Sequence, residues 1–168
     1  MRSGFGAIII GESYWYKYTK AEPGDTFGIS ISNVMTHARF ALWLNNAVKD
    51  STFENIRVFG NGFTSVFFGE GTMENLLFRG IRYDEDVKPV NADEQIVIEW
   101  NNTESRGLNA VYFNGTSVRN VEFCDMRVPA SLDSVFGGHG NGDVKYYNIA
   151  SSANKSFNNT SGIDISER

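Results

Sequence analysis

The chain has 168 residues, enough for one domain with its own core, and its 41% hydrophobic and 21% charged residues suit a globular protein rather than a disordered one. Its 20 acidic residues outnumber 15 basic ones, for a net charge of -5, which argues against a nucleic-acid backbone as partner because such binding needs a broad basic face. The single cysteine, Cys124, excludes an intrachain disulfide and a cysteine metal site, and no apolar run approaches the roughly 18 residues of a membrane-spanning helix.

In chain order, the first apolar run, Ala7 to Ile10, is shorter than the core of a secretory signal, so no leader is visible here. The aromatic stretch Tyr14-Trp15-Tyr16-Lys17-Tyr18 is a candidate cover for one end of the fold. Ile29-Ser30-Ile31-Ser32-Asn33-Val34 then introduces a phrase that recurs. It returns as Ser51-Thr52-Phe53-Glu54-Asn55-Ile56-Arg57-Val58 and as Leu76-Leu77-Phe78-Arg79-Gly80-Ile81-Arg82-Tyr83. It returns again as Val121-Glu122-Phe123-Cys124-Asp125-Met126-Arg127-Val128 and as Val144-Lys145-Tyr146-Tyr147-Asn148-Ile149. A second short strand precedes each later copy: Phe40 to Leu44, Ser65 to Phe68, Ala110 to Phe113, and Ser134 to Phe136. Glycine and asparagine turns such as Gly69-Glu70-Gly71 and Asn114-Gly115-Thr116 separate the two. Between the third and fourth copies lies an acidic insertion, 84–107, with its own strand Gln95 to Trp100. A Ser/Asn-rich loop, Ser151 to Ser161, leads to the strand-like Gly162-Ile163-Asp164-Ile165.

The anchors are 22 residues apart from Ile31 to Phe53, 25 from Phe53 to Phe78 and 23 from Phe123 to Tyr146. The step of 45 from Phe78 to Phe123 is one coil plus the insertion. A repeat of this length without helical periodicity predicts an all-β, right-handed parallel β-helix of about six coils with one insertion, as a single domain over 1–168. Alternation points Val121 and Phe123 one way and Glu122 the other. Coils stack about 4.8 Å apart, so Phe53, Phe78, Phe123 and Tyr146 should form an interior column. Val34, Ile56, Ile81, Met126 and Ile149 should form a second, with Asn33, Asn55 and Asn148 stacked at a bend beside it. Solenoids need capped ends. With no capping helix in view, the chain reads as a piece of a longer solenoid or as a subunit, such as a homo-oligomer's, that hides its ends against partners.

The repeated form, an Asn turn followed by Val-x-Phe-x-Asn/Asp-Ile over Phe27 to Ile149, resembles the right-handed parallel β-helix, pectin-lyase-like superfamily of pectate lyases, polygalacturonases and phage tailspikes. The resemblance implies a carbohydrate-directed protein with a shallow groove across several coils. Polygalacturonases carry Asn-Thr-Asp, Asp-Asp and Gly-His-Gly in order; Asn102-Thr103-Glu104, Cys124-Asp125 and Gly138-His139-Gly140 follow the same order here. That similarity implies catalytic roles for Asp125 and His139. Glu104 replaces the aspartate, Asp125 is single, and the family's following Arg-x-Lys is missing.

Glycoside hydrolysis needs two carboxyls, about 5 Å apart when retaining and roughly 6.5–9.5 Å when inverting. The turns entering the groove strands hold His37 and Arg39, Asn61, Glu104 and Arg106, and Asp133, so Glu104 and Asp133 are the candidate pair. Arg106 has the planar fork that suits a sugar carboxylate. A lyase would instead use a base such as His37 with Arg39 as clamp. Only in that case would a cofactor enter: Ca²⁺, held by Asp84, Asp86, Asp93 and Glu94. Trp43, Trp100 and Tyr112 are candidate stacking faces for a sugar. The expectation is an extracellular or cell- or virion-surface protein acting on or binding a polysaccharide, a hydrolase before a lyase. The alternative is a non-catalytic structural or glycan-binding segment, tailspike-like or adhesin-like.

Overall fold

A computed structural model describes residues 6–11, 25–36, 40–59, 64–84, 109–155 and 157–168. Ten strands are described: β1 (Gly6–Ile10), β2 (Asp25–Phe27), β3 (Ser30–Thr36), β4 (Phe40–Leu44), β5 (Ala47–Phe59), β6 (Thr64–Phe68), β7 (Gly71–Asp84), β8 (Asn109–Val128), β9 (Ser134–Ser151) and β10 (Asn158–Glu167). Every pairing is parallel, and the chain winds into a β-solenoid of about five turns, a parallel β-helix. There is no helix among the described residues, and so none long and apolar enough to cross a membrane.

The coil has three sides. The first is β1, β4, β6 and the opening residues of β8, β9 and β10. The second is β2 and the next few residues of β5, β7, β8 and β9. The third is β3 and the closing halves of the long strands. β7 and β8 pair directly, Phe78 against Phe123 and Arg82 against Arg127, so no strand separates the coils on either side of the acidic insertion. The rest of that insertion, 85–107, lies outside the described residues.

The interior is built as the repeat predicts. Phe53, Phe78 and Phe123 are fully buried. Their rings lie parallel in one column, with centroids 4.8 Å and 4.6 Å apart. Ile31 and Tyr146 extend it at either end by register. A second stack, Phe68 on Phe113 at 5.0 Å, comes from the first side and meets the first stack edge-on. Ile56, Ile81 and Met126 form the buried aliphatic column. Aromatic pairs in these geometries contribute about 0.5–1.5 kcal/mol each beyond the area they bury.

Corners need left-handed backbone, and asparagine or aspartate adopts it at modest cost. Asn33, Asn55, Asp125 and Asn148 have φ of 59, 53, 55 and 50°, and Gly80 takes the remaining place in that column. Asn55 Nδ2 donates to Asn33 Oδ1 at 2.6 Å and Asn148 Nδ2 to Asp125 Oδ1 at 2.5 Å. A second such column turns the second side into the third. Asn75 Nδ2 donates to Asp50 Oδ1 at 2.7 Å, and Asn120 Nδ2 donates to Asn75 Oδ1 at 2.9 Å. These side chains hold one coil to the next outside the backbone ladder.

Asn75, with φ of 55°, is therefore both a left-handed residue and the middle of a three-membered hydrogen-bonded column. Asn75→Gly keeps the backbone and loses only the side-chain bonds. Asn75→Ala loses both and should cost about 1–2 kcal/mol more than the glycine variant. Urea unfolding of the two variants measures the difference; equal losses would mean that the left-handed backbone carries no cost here.

Candidate functional site

The corner at Asn55 resets the alternation of the third side. Ile56, Ile81 and Met126 turn inward again, and the residue after each turns out. Those residues are Arg57, Arg82 and Arg127, and register places them on consecutive rungs, Arg57 against Arg82 and Arg82 against Arg127. Met35 and Ala150 end the row. The three arginines, with Asn55, Tyr83 and Asp84, line an open cleft of about 450 Å³ along the solenoid axis.

Elsewhere among the described residues, five cations are matched to acids one or two turns away, Lys145 being the one that is not. Lys49 pairs with Asp25 at 2.6 Å, Arg79 with Glu54 at 3.2 Å, Lys155 with Asp133 at 3.7 Å and Arg168 with Glu122 at 2.9 Å. Arg119 pairs with Glu74. Within the cleft, Arg57 reaches Asp84 at 2.5 Å and lies over the Phe59 ring. Arg82 and Arg127 depart from the pattern: they face each other across one rung, and neither has an ion-pair partner among the described residues. Like charges directly opposite on neighbouring strands repel. Inside a shallow wall, where field lines pass partly through protein, that repulsion exceeds its value in bulk water. An anion laid between them converts it to attraction.

Tyr83 fixes the floor of the cleft. Its ring borders the opening, while its hydroxyl is buried and accepts the Ser65 N–H at 3.1 Å. Burial pushes the pKa of that hydroxyl up, against the smaller opposing effect of the Ser65 contacts. The third side is thereby pinned to the first within the same coil.

The sequence-predicted residues are spread over the solenoid. Asp125 occupies the left-handed corner of the third side, with its carboxylate engaged by Asn148. Asp133 sits in the turn between β8 and β9, paired with Lys155. His139 is exposed at the corner between the first and second sides. The glycines around it serve that corner: a Cβ on Gly138 would meet Phe113 O at 2.0 Å, and one on Gly140 would meet Thr116 O at 2.2 Å. Asp125, Asp133 and His139 thus occupy three different corners. Trp43 and Tyr112 do come together. With Phe67 between them they form an outer column on the first side, with centroids 5.4 Å and 5.7 Å apart. Tyr112 is only 9% exposed, so little of that column's far end is open to a ligand. Asp84 is engaged by Arg57, and no cluster of three metal-ligating side chains occurs among the described residues. Glu104, His37, Arg39, Asn61, Trp100, Arg106, Asp86, Asp93 and Glu94 lie outside the described residues.

Cys124 faces outward yet is fully buried, with Arg79 and Tyr147 on the rungs either side of it. No protein-family model, curated protein or solved structure matches the chain. The arginine row was not among the predicted site residues. Its signal is the same place in three copies of the phrase, immediately after Ile56, Ile81 and Met126.

Two outcomes follow from this geometry. Arg82→Gln or Arg127→Gln should raise the thermal midpoint of the free protein by about 1–3 °C at low salt, and the gain should vanish near 1 M salt, where the screening length is about 3 Å. Arg79→Gln, which breaks a pair, should give no such gain; a midpoint unchanged in both cleft variants would refute the repulsion. Tyr83 acts at alkaline pH. Its folded pKa lies above the unfolded value of about 10, so the folded state holds the proton longer. Its contribution to stability is complete below about pH 10 and is lost as pH rises beyond, by up to about 1.4 kcal/mol per pH unit. Urea titrations across that range should show a shallower alkaline decline in Tyr83→Phe.

Proposed function

We propose that this protein binds an acidic polysaccharide laid along the solenoid axis, with the Arg57–Arg82–Arg127 row as its anion-reading wall. The observation that carries this reading is the pair Arg82 and Arg127, without an ion-pair partner among the described residues, in an open cleft on a chain whose net charge is -5. A linear polymer suits the site because the row runs straight from rung to rung along the axis, so one extended chain can lie along it. Guanidinium forks bind oxyanions through paired, charge-assisted hydrogen bonds. Asn55 adds an amide beside the row. Three arginines do not make the broad basic face that a nucleic acid requires. A polysaccharide ligand fits an extracellular or surface location.

Binding is the reading that the arginine row supports. Of the candidate hydrolytic pair, Asp133 is paired with Lys155 and Glu104 lies outside the described residues, so the reading rests on binding and makes no use of that pair.

Affinity electrophoresis through gels holding polygalacturonate, alginate, chondroitin or a neutral glucan tests the reading. The acidic polymers should retard the protein and the glucan should not. Arg82→Gln and Arg127→Gln should each weaken retardation about tenfold. Migration unaffected by every acidic polymer would sink the proposal. Reducing-end and unsaturated-product assays on the same mixtures report whether a bound polymer is also cut.

A further inference from the structure

Arg82 and Arg127 stand on consecutive rungs rather than alternate ones. Consecutive rungs are about 4.8 Å apart. In a flat, two-fold ribbon of sugars neighbouring units point their acidic groups to opposite sides, so groups facing one wall recur at every second sugar, further apart than a single rung. Such a chain delivers one anionic group to this pair of arginines, and both guanidiniums must share it. Arg57 is not a competing third fork, because Asp84 already occupies it at 2.5 Å.

The shape of the shared group then matters. A carboxylate is planar and presents one O–O edge, so one guanidinium takes it up side by side and a second reaches only single outer lone pairs. A sulfate or phosphate monoester has three terminal oxygens in a pyramid, with three O–O edges facing different ways. Two forks approaching from neighbouring rungs each find an edge of it. Both arginines line the same cleft, so both are placed to converge. Resting on the polysaccharide reading above, we infer that the Arg82–Arg127 pair selects a glycan bearing a sulfate or phosphate ester over one bearing carboxylates alone.

Calorimetric titration of the full chain with unsulfated chondroitin, sulfated chondroitin and phosphomannan, at one low ionic strength, tests this. One of the two ester-bearing polymers should bind at least about tenfold more tightly than unsulfated chondroitin, and comparing those two identifies the ester. Arg82→Lys and Arg127→Lys keep the charge and lose the fork, so each should abolish the preference while leaving weak binding. Both side chains are exposed, and thermal melts of the variants report that the fold is retained. Equal or tighter binding of unsulfated chondroitin overturns the ester selectivity and leaves polysaccharide binding intact. A preference that survives both lysine substitutions overturns the shared-fork geometry. No binding of any of the three polymers overturns both readings together.

Discussion

Each side chain of this solenoid rests on its counterpart one turn away, and that contact governs everything else. Parallel hydrogen bonds set the spacing at about 4.8 Å and hold equivalent residues in line. Whatever stands at a given place in one coil must tolerate a near copy of itself above and below. Aromatic rings satisfy this well, because Phe53, Phe78 and Phe123 stack with their faces nearly parallel. Asparagines satisfy it by joining amide to carbonyl, as at Asp50, Asn75 and Asn120. Cations satisfy it poorly. The recurrent solution on the outer surface is to set an acid in a nearby coil, as Glu54 does for Arg79. The cleft on the third side is where the stacking rule sets Arg82 against Arg127 with no ion-pair partner for either among the described residues.

That exception links folding to function. A repulsive pair lowers the stability of the free chain slightly, and the solenoid tolerates this because the interior columns beneath are continuous: Ile56, Ile81 and Met126 are buried directly inside Arg57, Arg82 and Arg127. Tyr83 adds a strut between two sides at the same level. The backbone carrying the charges is thus fixed by the core beneath it, and the two arginine stems start from set positions one rung apart. A loop carrying the same arginines would splay them apart.

Architecture was legible from the chain because a stacking fold writes its contacts as repetition. Phe53 and Phe78 are 25 residues apart in sequence and touch in space for that reason. Asn33, Asn55 and Asn148 were readable as a bend because asparagine recurs just before an aliphatic anchor. The other column, Asp50, Asn75 and Asn120, was readable as the Asn turn three residues before each Phe anchor, and its side-chain bonds from coil to coil were not. At the site level the letters of the motifs also answer to the stacking of the coils. Gly138-His139-Gly140 matches a catalytic signature in letters, yet its glycines are demanded by the backbone of Phe113 and Thr116 one coil away. Asp125 matches a catalytic aspartate in order along the chain and serves as a corner residue.

The arginine row was visible in the same repeats and was passed over for a physical reason. A search for chemistry looks for opposite or complementary groups close together, such as paired carboxyls or a base beside an acid. In a solenoid the informative feature is the reverse: identical groups at identical places, where the fold's own rule predicts repulsion. A position that repeats an apolar residue lowers the energy of the coil, and its recurrence is explained by the core. A position that repeats a charge without its counterion raises that energy, and the core offers no explanation for it. In this chain the residue after each aliphatic anchor is arginine in three successive coils, on the outer side and out of reach of the interior. Among the described residues nothing offsets that energy at Arg82 and Arg127, and a negative, extended ligand lying parallel to the axis, as proposed above, would do so.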